Sequence, residues 1–173
     1  MSAMAEAFND RSIEGDKASR YALVAQEIAA VLDGESNATA RMATVTAMLA
    51  ATFDHYFWTG FYVVDPAKPN ELVVGPYQGT LGCLRIPFGR GVCGAAAQTG
   101  LTQVVKDVHA FPGHIACDSR SASEIVVPVR DPEGRLFAVL DVDSDRLAAF
   151  DDDDRRGLEQ IMRATFARPP GDR

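Results

Sequence analysis

The sequence predicts an α+β domain, an antiparallel β-sheet flanked by α-helices. Apolar residues recur at helical spacing near both ends of the chain, and between them lie two pairs of strand-like runs, each pair joined by a turn. Strands joined by short turns pair antiparallel, and the terminal helices must then bury their apolar stripes against a face of the sheet. The 173 residues, with 47% hydrophobic and 24% charged side chains, suit one domain with a substantial core.

The elements follow in order. Residues 1–19 mix polar and small residues without a period and read as a flexible N-terminal arm, with the domain over 20–168 and a short tail over 169–173. Tyr21, Val24, Ile28 and Val31/Leu32 mark the first helix, and Gly34 supplies a left-handed stop. Ser36 or Asn37 caps a second helix whose buried stripe is Met42, Val45, Leu49 and Phe53. Phe57–Val64, aromatic and branched, reads as a strand ended by Asp65-Pro66, and Glu71–Tyr77 as its partner across a loop holding Pro66, Pro69 and Asn70. From Gly79 to Ser123 the chain is dense in Gly, Pro, Cys and His. Within this stretch Gly91–Gln98 predicts a short helix stopped by Gly100, and Thr102–Val105 a short strand. Glu124–Val129 and Leu136–Val142 are strands joined by the turn Asp131-Pro132-Glu133-Gly134. The acidic run Asp151–Asp154 complements the dipole of a final helix with the apolar face Leu158, Ile161, Met162 and Phe166. It lacks the alternating ligands and the Gly of a calcium loop.

Charge excludes several function classes. The formal net charge is −7, from 17 basic and 24 acidic side chains, so neither a sequence-independent nucleic-acid binder nor a protein held on anionic lipid is expected. No apolar run approaches the roughly 18 residues of a transmembrane helix. The first twenty residues carry Glu6, Asp10, Glu14 and Asp16 and have no apolar h-region, so a secretory signal is not expected and the cytoplasm is. Three cysteines is an odd count for a disulfide framework, which leaves free, catalytic or metal-binding thiols.

All three cysteines and two of the three histidines lie in the Gly- and Pro-rich stretch, and ordered loops of that length are usually functional. Gly89-Arg90-Gly91-Val92-Cys93-Gly94 matches a dinucleotide fingerprint. However, Pro87 interrupts the run before it and Gly100 ends the helix after it, so it is set aside. His109, His114 and Cys117, with Cys83 as a fourth ligand, have the residue types of a zinc site but no C-x-x-C knuckle. Thiol redox chemistry is the other reading. A short helix starting near Pro112-Gly113, together with His114, would lower the Cys117 pKa, and Cys83 beside Gly82 lies on a pliable loop. Cys93 among alanines reads as a small buried hydrophobe. Asp141 and Asp143, two apart in an apolar strand, share a face, and with Glu124 they suggest a cation or a proton-sharing site. Trp58 and Tyr62 also share a face, as core residues or as a pocket wall.

Several motifs together are similar to the free methionine-(R)-sulfoxide reductase family. They are Phe111-Pro112-Gly113-His114-Ile115-Ala116-Cys117-Asp118, Ser123-Glu124-Ile125-Val126-Val127-Pro128, Trp58-Thr59-Gly60-Phe61-Tyr62, Arg85-Ile86-Pro87-Phe88-Gly89 with Gly91-Val92-Cys93-Gly94, and Leu140-Asp141-Val142-Asp143-Ser144. The resemblance runs from about Tyr21 to the final helix and implies a GAF domain, in agreement with the element order. It implies Cys117 as nucleophile, Cys83 as the cysteine that resolves it and Cys93 as auxiliary. Glu124, Asp141 and Asp143 become substrate-binding acids, with Trp58 and Tyr62 as an aromatic wall. The implied reaction reduces free methionine-(R)-sulfoxide through a sulfenic acid and a disulfide recycled by thioredoxin, with no metal or organic cofactor. A homodimer is expected on the same ground. A non-catalytic GAF sensor and a zinc-binding module are the alternatives.

Overall fold

The computed structural model describes residues 15–115 and 117–167. Residues 1–14 of the expected arm and the 169–173 tail lie outside the described residues.

Among the described residues, four helices and five of the six strands follow the expected order, and the short strand at Arg85–Pro87 is an addition. Helix α1 (Lys17–Val31) starts four residues before Tyr21, because the Asp16 side chain accepts the Ser19 N–H at 2.8 Å and caps it there. Asn37 caps α2 (Ala38–Thr52) in the same way through Ala40 N–H. Strand β1 (Trp58–Asp65) turns into β2 (Lys68–Gln78) through only Pro66 and Ala67, so Pro69 and Asn70 lie inside a strand and not in a loop. Pro69 is tolerated because the next strand, β3 (Arg85–Pro87), pairs only with Glu71–Val73 and leaves that part of β2 an edge. Helix α3 (Gly91–Thr99) ends at Gly100, which adopts φ +67°. Strand β4 (Gln103–Val105) and a 3₁₀ turn (Val108–Ala110) lead to β5 (Ser123–Arg130) and β6 (Leu136–Ser144). Asp151 and Asp154 form a reciprocal capping box at the start of α4 (Asp152–Phe166).

The six strands make one sheet in the order β3-β2-β1-β6-β5-β4, and every neighbouring pair is antiparallel. Alternation along the strands gives the sheet two unlike faces. One face carries Phe61, Ile125, Val127, Val129, Ala138, Leu140 and Val142, all packed under α1, α2 and α4 in the main core. The other carries Trp58, Tyr62, Val126 and Val139 and packs against α3 and the loops. No helix among the described residues is long and apolar enough to cross a membrane.

Candidate active site

Strand register builds the site. On the α3 side, Trp58 of β1 lies opposite Asp143 of β6, which lies opposite Glu124 of β5. The next row, one pleat on, is Gly60, Asp141 and Val126. Three carboxylates thus converge on one face from two adjacent strands, and α3 sets Cys93 over them with its Sγ 3.9 Å from Glu124 Oε1. The sulfur of Cys93 and one oxygen each of Glu124 and Asp141 lie within 4.8 Å of one another. Glu124 and Asp141 are only 5% and 6% exposed, and Asp141 Oδ1 is buried without a hydrogen-bond partner.

Electrostatics follow from that geometry. Burial, and then the neighbouring carboxylates, push Glu124 and Asp141 well above the ordinary carboxyl range. Burial raises Asp143 to about 6 although Ser121 hydrogen-bonds it. Burial, Asp141 and Glu124 likewise push the Cys93 thiol up, so it stays protonated. His114 Nε2 lies 3.8 Å from Glu124 Oε2, and burial lowers its pKa, which favours the neutral ring.

Trp58 forms the wall. Its ring stacks on Tyr62 at 5.6 Å and on Tyr77 at 5.2 Å between centroids, and its Nε1 donates to the Thr80 carbonyl at 2.9 Å. Gly60 is needed beneath it, since a Cβ there would run into the Trp58 ring and Tyr77. Gly82 lets the following loop lie on the wall, because its Cβ would come within 3.0 Å of both Trp58 and the Tyr62 hydroxyl.

Cys83 and Cys117 are joined in a disulfide with Cα atoms 5.5 Å apart, and Cys93 remains a free buried thiol. Cys117 lines the same cavity as Trp58, Tyr62, Glu124, Asp141 and Asp143, but it is exposed where Glu124 and Asp141 are buried. All eight candidate residues therefore gather in one place. The zinc set does not: Cys83 and Cys117 are bonded to each other, and His109 is 70% exposed and pairs with Asp107. The helix expected at Pro112-Gly113 is also absent. That segment is a turn with Gly113 at φ +72° and His114 N–H bonded to the Phe111 carbonyl, so no helix N-terminus there acts on Cys117. Tyr77, Ser121 and Ile115 belong to the site although no sequence pattern marks them. Only the hairpin register, which is shifted by a bulge between Gly60 and Tyr62, puts Tyr77 beside Trp58.

Residues 41–165 match the GAF domain family. GAF domain-containing protein A of Dictyostelium discoideum is 49% identical over 150 residues, 87% of this chain and 92% of that protein. Free methionine-R-sulfoxide reductase of Escherichia coli is 40% identical over 147 residues, 85% of this chain and 87% of that protein. The chain belongs to the GAF-domain family of free methionine-R-sulfoxide reductases. The structure of free methionine-R-sulfoxide reductase from Neisseria meningitidis in complex with its substrate superposes with a TM-score of 0.84 at 47% identity, over 88% of this chain and 90% of that one. In this free methionine-R-sulfoxide reductase family member, an exposed, disulfide-forming cysteine stands over a buried floor of acids beside an aromatic wall.

Proposed function

We propose that the chain reduces free methionine-(R)-sulfoxide to methionine. The observation that carries this reading is the pairing of the Cys83–Cys117 disulfide with a floor of three carboxylates, Glu124 and Asp141 buried and Asp143 half-buried, in one cavity. The Cys117 thiolate attacks the sulfoxide sulfur, the oxygen takes up a proton, and the oxygen passes to Cys117 as a sulfenic acid while methionine leaves. Cys83 condenses with the sulfenic acid and releases water. An external dithiol of the thioredoxin type then reduces the disulfide by two exchange steps.

The acids explain the choice of a free amino acid. Burial and mutual repulsion keep protons on this cluster before substrate enters. An α-ammonium brings the positive charge that lets part of the cluster ionise, and a proton retained on another acid can be donated to the sulfoxide oxygen. Trp58 and Tyr62 pack on the methyl and sulfur, where aromatic contact is favourable. Cys93 is auxiliary. A thiol cycle of this kind needs a reducing compartment, so we place it in the cytoplasm, and a homodimer is the expected assembly.

The test compares free, N-acetylated and peptide-bound methionine sulfoxide with R and S epimers resolved. Rapid turnover of the free R form alone is expected. Equal rates on free and acetylated substrate would remove the acid floor from the account, and preference for S would remove the stereochemical assignment. A GAF sensor releases no methionine from any of them.

A further inference from the structure

We infer that Thr80 is a positioning residue for disulfide formation, holding the Cys83 loop against the Cys117 loop through its hydrogen bond to Asp118. This rests on the reductase reading above. The two cysteines sit on separate irregular segments, 79–84 and 117–122. Thr80 Oγ1 donates to Asp118 Oδ2 at 2.8 Å across that gap. Thr80 lies three residues before Cys83, and Asp118 directly follows Cys117.

Both ends of this latch are anchored. The Thr80 carbonyl accepts the Trp58 indole N–H at 2.9 Å, which fixes its backbone to the pocket wall. Asp118 accepts from the Arg120 backbone N–H at 2.9 Å and from Arg120 Nε and Nη2 at 3.1 and 2.9 Å. The Arg120 guanidinium in turn lies 4.5 Å from the centroid of the Phe57 ring. Arg120 first, and then Thr80, hold the Asp118 carboxyl well below its usual range, so the acceptor stays ionised at any working pH.

Elsewhere the Cys83 loop is tied to β1 and β2, where Val74 N–H donates to the Leu84 carbonyl at 3.0 Å and the Tyr62 hydroxyl hydrogen-bonds the Cys83 backbone, while the Leu81 and Leu84 side chains are 79% and 72% exposed. The Thr80 hydroxyl is the group that reaches across to the Cys117 segment. The latch involves no cysteine, so it can persist when the disulfide is open. The step it serves is internally balanced. The Cys117 S–O bond breaks, the Cys83–Cys117 S–S bond forms, and the oxygen leaves as water with the Cys83 proton. Its rate depends on how often Cys83 meets the sulfenic sulfur, which is an effective concentration set by loop position.

Thr80→Val keeps the shape and the carbonyl but removes the donor. The fully reduced full-length protein is mixed with free methionine-(R)-sulfoxide for a single turnover. Released methionine, Cys117 sulfenic acid trapped by dimedone and the Cys83–Cys117 disulfide are each followed in time. Methionine release is expected within about twofold of the parent, and disulfide formation slowed about tenfold with more trapped sulfenic acid, the usual weight of one hydrogen bond to a charged group. Thr80→Ser restores the rate. Asp118→Asn slows disulfide formation in the same direction and keeps the test decisive if Thr80→Val folds poorly. Unchanged disulfide formation in Thr80→Val overturns the inference. So does methionine release that slows in step with it, since Thr80 would then be shaping the pocket. If the parent itself releases no methionine, the reductase reading fails. One equivalent of hydrogen peroxide, which oxidises a thiolate to a sulfenic acid, then tests the latch separately.

Discussion

Two buried carboxylates, one on each face of the sheet, have opposite fates. Asp154, under the helical face, is fully enclosed yet fully partnered. It accepts Lys17 Nζ at 2.5 Å, the Tyr21 hydroxyl at 2.8 Å and the Asp151 N–H at 2.8 Å. Tyr21 passes the network on through a hydroxyl–hydroxyl contact with Tyr56. Asp141, on the α3 face, is nearly as buried, but one oxygen has no hydrogen-bond partner and its neighbours are Glu124 and Cys93. A buried acid with both oxygens hydrogen-bonded ties elements together, here α1 to α4. A buried acid left unanswered among other acids destabilises the fold unless a cation or a proton completes it. The difference separates a structural carboxylate, in the first turn of α4, from a binding one on the α3 face of β6.

The comparison breaks most completely at the cysteine above the acid floor. Cys117→Ser should abolish methionine release, because a neutral hydroxyl is a far weaker nucleophile than a thiolate. The measure is methionine per chain in a single turnover by the reduced protein. Near-normal release would move the chemistry elsewhere.

Asp141→Asn should lose about 30- to 5,000-fold in kcat/KM, the consequence of removing a desolvated charge partner worth about 2–5 kcal/mol. It should also melt a few degrees higher at pH 7, because it removes an acid that burial disfavours when ionised. The pH dependence has a definite sign. A carboxyl group raised on folding binds its proton more tightly in the folded chain than in the unfolded one. The stability it contributes is therefore full below about pH 4, the unfolded value, and is lost as pH rises through the folded value. For Asp143 that loss runs from about pH 4 to about pH 6, and for Asp141 and Glu124 it continues above their ordinary range. Thermal melts of parent and variant from pH 4 to 8 should therefore diverge towards high pH. A variant that melts lower at pH 7 would show that Asp141 is partnered after all.

Asp154→Asn is the mirror experiment. It takes one member from a buried ion pair, at a cost of about 3–5 kcal/mol in a fully buried pair and less here because Lys17 is 26% exposed and keeps Asp151 at 2.8 Å. Unfolding by urea should report that loss, while methionine release per folded molecule stays close to the parent. An unchanged midpoint would mean that the network carries no stability.

Much of this contrast is legible in the amino-acid sequence. The cap at Ser36 or Asn37, the acidic helix start Asp151–Asp154, the stripe Met42–Val45–Leu49–Phe53 and the shared face of Asp141 and Asp143 all follow from local periodicity and side-chain chemistry. The gathering of Trp58 with the acids is implied by motif resemblance, and the antiparallel β1/β6 register explains it physically. What the sequence hides is either too short or too distant. Strand β3 has three residues and ends on a proline, so it has no period to detect. The Thr80–Asp118 bond spans 38 residues between two loops, where no propensity speaks. Pro112-Gly113 suits a helix start and a turn alike, because both patterns favour the same residues, and only His114 N–H closing on Phe111 distinguishes them.

The smallest effect is expected at Cys93, which lies between the two cases. It shares the acid floor, yet it is a neutral group, and burial with Asp141 and Glu124 nearby keeps its proton in place. A protonated thiol neither attacks a sulfoxide nor resolves a sulfenic acid at a useful rate. Its sulfur is 3.9 Å from Glu124 Oε1, a weak donor to an acid that already retains its own proton. A serine hydroxyl can fill the same role, so Cys93→Ser should keep thioredoxin-linked turnover within about threefold of the parent, well under the tenfold weight of a charged hydrogen bond. Mass spectrometry of the oxidised variant should still find Cys83 bonded to Cys117. The Cys83→Ser protein supplies the contrast: with the external dithiol it should stall after about one methionine per chain, because no disulfide forms for exchange. Continued turnover there, together with a dead Cys93→Ser protein, would assign the resolving role to the buried thiol and make the acid floor part of the redox chemistry.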